Sequence, residues 1–230
     1  MPFMSALQGN DRLIVLSGCV DLIGFFLLYL LYVIFRKREH PTQPNLVRKN
    51  LGRMFLLAIS AQIYTGIFLG LVHHFFPVAY QDYESSIQSV HCDKLPFLVE
   101  LVVIVVIAPL FEEMCFRVFC FDLLRDGWSV WVSACISGVC FGVFHGNAVQ
   151  GVYAFLCGVL IGYIYEYNGG WLGSYSFHLF YNFNNYLIVY LVKIPYGKIV
   201  YVILGIVSMF MLPVILGYLI KNDKKKMRDE

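Results

Sequence analysis

The sequence predicts an all-α fold, a polytopic bundle of about seven transmembrane helices, and three observations predict it. Of 230 residues, 59% are hydrophobic and 14% are charged, where a soluble domain is usually about 25% charged. The apolar residues fall into runs of about 20, the length that crosses a hydrocarbon core of about 30 Å. Lys and Arg collect beside alternate runs, as they do in proteins threaded through a bilayer.

Residues 13–35 form the first run, interrupted only by Asp21. Arg36, Lys37, Arg38, Arg48, Lys49 and Arg53 follow it, in a connection whose middle is kept non-helical by Pro41 and Pro44. Residues 54–76 form the second run, with His73 and His74 at its far end. Asp82, Glu84 and Asp93 make 77–94 read as a polar loop. The third run, 95–121, is too long to stand straight in the hydrocarbon. A short charged turn, 122–127, leads to a fourth run at 128–144 and a shorter fifth at 151–165. Asn168-Gly169-Gly170 ends that helix. The sixth run, 171–192, is rich in Asn; after a loop at 193–198 containing Pro195, the seventh is 199–220, and 221–230 is a basic tail.

Placing the tail in the cytoplasm puts Arg36, Lys37, Arg38, Arg48, Lys49, Arg53, Arg125, Lys221, Lys224, Lys225, Lys226 and Arg228 inside, and Arg12, Lys94, Lys193 and Lys198 outside, twelve against four. The expected orientation is N-terminus outside and C-terminus cytoplasmic, in a multi-pass protein of the cell membrane. The tail reads as a topology signal, and no nucleic-acid partner is expected. Six of the seven Cys (19, 115, 120, 135, 140 and 157) lie in apolar runs and Cys92 has no partner in its loop, so no disulfide framework is expected. No charged N-terminal segment marks a cleavable signal peptide.

Against this background the stretch Phe111-Glu112-Glu113-Met114-Cys115-Phe116-Arg117 stands out. Each ionisable group near a bilayer centre costs about 3 kcal/mol, so three of them in one run require a structural pairing or a catalytic use. Neighbouring helical positions differ by about 100°, so the two glutamates cannot face one point. Glu113 and Arg117 are four apart with the acid first, the favourable order for a helical pair. Glu112 is then left facing elsewhere, a carboxylate free to take a proton from water. On the fourth run Phe141 and His145 share a face, and on the sixth His178 and Asn182 share another. Set against a carboxylate and a second histidine, His178 and Asn182 have the donors for an oxyanion hole. The alternative for these groups is a polar zipper between helices, at roughly 1 kcal/mol per bond, and Asn184 and Asn185 fit the zipper better than they fit catalysis.

Glu-Glu-x-x-x-Arg at 112–117, Phe-x-x-x-His at 141–145 and His-x-x-x-Asn at 178–182 resemble, in order and on separate runs, the three motifs of the CPBP family. That family contains the CAAX prenyl endopeptidases and the bacteriocin-processing or bacteriocin-immunity proteins, and is also called the abortive-infection family. The resemblance covers roughly 95–192, the motif-bearing core of a single membrane domain 1–230, and implies intramembrane endopeptidase activity on a peptide or membrane-associated protein. It implies that Glu112 activates water, that His145 helps to hold it, and that His178 and Asn182 stabilise the tetrahedral oxyanion, with Glu113 and Arg117 in support. No cofactor is expected; a divalent metal on Glu112, His145 and His178 stands as the alternative, although nothing resembles His-Glu-x-x-His. Besides the bilayer and a substrate, a membrane-protein partner is possible. The rival function is a non-catalytic membrane partner, such as a bacteriocin immunity factor or an accessory of a sensor kinase.

Two expectations concern packing. Gly138 and Gly142 on the fourth run, and Gly158 and Gly162 on the fifth, are spaced i, i+4 and permit close backbone approach. At about 1.5 Å per residue, Glu112, His178 and Asn182 share a level in the inner half of the bilayer, which predicts a cavity opening on the cytoplasmic side or within the inner leaflet. His145 comes out roughly 10 Å deeper, so the fourth span must tilt or project its first turns.

Overall fold

The computed structural model describes residues 10–35, 44–90 and 97–229. Arg36, Lys37, Arg38, Pro41, Cys92, Asp93 and Lys94 lie outside them. The described residues form eight helices and no strand, so the all-α expectation holds.

Helix α1 (Asn10–Phe35) is apolar around its circumference and packs mainly along the helix that carries the first motif, with Phe25 also stacked on Trp171. Helix α2 (Pro44–Phe75) begins at its proline, whose missing N–H is tolerated in a first turn. Arg48, Lys49 and Arg53 therefore sit on its first turns, ahead of the run expected from 54, and the middle of the connection before Pro44 lies outside the described residues. Helix α3 (Pro77–Val90) replaces the loop expected at 77–94. It folds because one face finds partners: Tyr83 meets Tyr153 with hydroxyls 3.5 Å apart, and Ser86 accepts from Asn147.

Helix α4 is continuous over 97–125 but irregular. Its segments are Phe97–Leu101 (α), Val102–Ile107 (π), Ala108–Glu113 (α), Met114–Phe121 (π) and Asp122–Arg125 (α). The expected turn at 122–127 is thus partly its last helical turn. Helix α5 (Val130–Phe144) starts at Ser129, whose Oγ accepts the Val132 N–H. Its start two residues later than expected trims the depth offset of His145 by about 3 Å. Helix α6 (Ala148–Tyr167) outlasts the short run expected, capped by Asn147 through two backbone N–H groups. Gly169 and Gly170 take φ of 101° and 66°, which lets the chain reverse directly into α7 (Trp171–Lys193). Helix α8 (Gly197–Asp229) runs through Pro213 and through the expected tail as one helix.

Two cores hold the bundle. Met54, Leu57 and Ala58 of α2 pack with Cys157, Ile161 and Ile164 of α6 and Phe177 and Tyr181 of α7. Met114, Val118 and Phe121 of α4 pack with Ala134 of α5 and Tyr165 of α6. Helices α5 and α6 approach closely, as the glycine spacing predicts. A Cβ on Gly142 would stand 2.6 Å from the Gly151 carbonyl oxygen, and one on Gly158 would stand 2.9 Å from Gly138 Cα. Arg12–Ile34, Pro44–Phe75 and Ala148–Tyr167 are each long and apolar enough to cross a membrane.

Candidate active site

The first motif straddles a change of helix type. Glu112 and Glu113 close the short α segment of α4, and Arg117 lies in the π segment after it. Such π segments recur at functional sites because one extra residue per turn re-aims the side chains that follow. Glu113 and Arg117 meet as the spacing predicts, with Oε2 and Nε 3.4 Å apart and both side chains fully buried.

His178, on α7, lies between the two glutamates. Its Nδ1 is 2.9 Å from Glu113 Oε1 and its Nε2 is 3.4 Å from Glu112 Oε2. Glu112, unpaired within its own helix as the helix-face argument expects, therefore has a partner across the helix interface. Glu113, held ionised by Arg117, accepts from Nδ1–H and fixes the ring. On the other side of the ring Nε2 faces the Glu112 carboxyl.

Arg117 is anchored a second time. Its Nη1 donates to Ser137 Oγ at 3.3 Å, and Ser137 donates to the Phe116 carbonyl at 2.6 Å. Its guanidinium lies over the Phe141 ring, 4.9 Å from the centroid. The same ring meets both imidazoles edge to face, His145 at 4.7 Å and His178 at 5.7 Å between centroids. Phe141 therefore brings the second motif to the first and third. His145 follows the last residue of α5, and its Nδ1–H donates to the Phe141 carbonyl at 2.8 Å. In the neutral ring this leaves Nε2 as an acceptor.

Asn182 completes the set from α7, donating through Nδ2 to the Ile104 carbonyl at 3.0 Å. Of the zipper residues, Asn185 accepts from Gln62 at 3.0 Å, whereas the fully buried Asn184 side chain makes no hydrogen bond among the described residues. Sequence reasoning missed several neighbours of the site. Tyr175, three before His178, donates to the Val106 carbonyl at 3.2 Å. Ser137, four before Phe141, had no distinguishing pattern. Asp21 reads in the sequence only as an interruption. In the fold it is partly buried and near enough to Glu112 and Cys115 to act on both electrostatically. It is brought there by the close fit of Gly18 on Val103 and Gly24 on Phe111.

Both His178 nitrogens face carboxylates and His145 Nδ1 faces a carbonyl. Among the described residues no three His, Cys, Asp or Glu side chains are gathered to hold a metal ion. The arrangement offers a carboxyl–imidazole pair, with a second imidazole against the same Phe141 ring, groups able to exchange protons with water.

The family described as type II CAAX prenyl endopeptidase Rce1-like has a model that matches residues 94–184. No curated protein and no solved structure matches the chain. The matched segment contains all of the first and second motifs and His178 and Asn182 of the third, on α4, α5, α6 and α7. Residues 94–184 are therefore similar to the Rce1-like family, in a chain whose described residues are helical and include helices long and apolar enough to cross a membrane.

Proposed function

We propose that the chain is an intramembrane endopeptidase that cleaves a peptide or membrane-associated protein in a CAAX-protease-like reaction. The observation that carries this reading is His178 held between Glu113 and Glu112. In the proposed reaction Glu112 takes a proton from water, with His145 Nε2 helping to hold that water. The hydroxide adds to the scissile carbonyl carbon, and His178 Nε2–H with the second N–H of Asn182 donates to the oxyanion. The proton returns to the leaving amine as the C–N bond breaks. Glu113 and Arg117 fix the ring that Glu112 works beside. The reading takes the protein to be multi-pass in the cell membrane, with seven crossings and a cytoplasmic C-terminus.

The test is purification in detergent and incubation with CAAX-type peptides, prenylated and unprenylated, with products read by mass spectrometry. A new C-terminal fragment from wild type and none from Glu112→Ala is the expected result. Equal products from both proteins overturn the assignment. No product from wild type on any peptide favours the non-catalytic membrane partner.

A further inference from the structure

The irregular start of α4 has a cause in the sequence. In the π segment Val102–Ile107 the Ala108 N–H reaches back five residues to the Val103 carbonyl. The next bond in that register would run from residue 109 to the Ile104 carbonyl. Residue 109 is proline, buried and without an N–H. A carbonyl freed in this way inside a membrane helix must be answered by a neighbour. Asn182 Nδ2 answers it from α7 at 3.0 Å, and the Tyr175 hydroxyl reaches the Val106 carbonyl of the same segment at 3.2 Å. Tyr175 and Asn182 lie three before and four after His178, so the two backbone contacts bracket the residue that meets both glutamates.

We infer that Tyr175 and Asn182 are positioning residues that clamp the π segment of α4 to α7, and so set where Glu112 and Glu113 meet His178. Tyr175 lies outside the three motifs, and Asn182 has this work in addition to any contact with substrate. The backbone contacts are independent of the reaction, whereas their effect on turnover rests on the endopeptidase reading.

Pro109→Ala gives the decisive background. An alanine there supplies the missing N–H, so the Ile104 carbonyl gains a backbone donor in either helical register. In the otherwise wild-type protein Asn182→Ala strands a buried carbonyl and should lower the melting temperature by about 3 °C or more. In the Pro109→Ala background the same change should lower it by less than about 1 °C. Equal shifts in the two backgrounds overturn the clamp, whether or not the protein cleaves anything. Turnover supplies the second readout. Tyr175→Phe removes one hydroxyl and should lower kcat about three- to tenfold with KM unchanged, since it displaces the carboxyls without touching substrate. A rise in KM at constant kcat would make Tyr175 a substrate contact and contradict its positioning role. If wild type shows no turnover, the endopeptidase reading fails while the melting temperatures still decide the clamp.

Discussion

The contact of α5 with α6 and the contact of α4 with α7 join helices of one bundle by opposite means. Helices α5 and α6 meet backbone to backbone: Gly138 and Gly142 face Gly158, Gly151 and Phe155 with no room for a Cβ. Shape is the whole device, and dispersion at short range supplies the attraction. Helices α4 and α7 meet through Glu113–His178, Glu112–His178, Asn182–Ile104 and Tyr175–Val106, across a backbone twice distorted from the α form. The lesson is a division of labour. The regular contact keeps the bundle together and brings Phe141 to the site, and the irregular one arranges groups that lipid would otherwise exclude.

Substitutions can break each side of this comparison. The largest stability loss should come from Glu113→Gln, which leaves the Arg117 guanidinium buried without its carboxylate. A cost of about 3–5 kcal/mol follows, readable as a large drop in the detergent denaturation midpoint; a stable Glu113→Gln would refute the division between the two glutamates. Ser137→Ala should come next, since Arg117 Nη1 loses its acceptor, at about 1.5–3 kcal/mol. Gly142→Ala sharpens the contrast: its Cβ meets the Gly151 carbonyl, a backbone atom that cannot swing aside. It should cost about 1–3 kcal/mol yet leave turnover per folded molecule within about twofold, and a selective loss of turnover would show that the glycine contact does more than pack. The smallest effect should be Asn185→Ala, which removes only the bond to Gln62, at about 0.6 kcal/mol.

Much of this contrast could be read from the residues alone. The glycines at i, i+4 predict the α5–α6 approach, and Glu113 with Arg117 at i, i+4 predicts their pair, because both depend only on helical spacing. The three motifs point to the residues that converge. The π segments could not be read, since one extra residue in a turn leaves the hydrophobic pattern of an all-apolar run unchanged. The helix-face argument separates the two glutamates, and the fold adds that the two nitrogens of one ring, His178, reach both of them. Helix α3 was hidden by its polar composition; Tyr83 and Ser86 show which face packs only once α6 is in place. Asp21 escaped because nothing in the first run indicates that its neighbours Gly18 and Gly24 seat on α4.

The most direct test of the account is turnover per folded molecule in Glu112→Gln, measured with the peptide that wild type cleaves best and normalised to the folded fraction. Glutamine keeps the shape beside His178 but cannot take the proton from water. The account predicts a melting temperature near that of wild type and turnover lower by about 10²–10⁴-fold. Turnover within about threefold of wild type would contradict it.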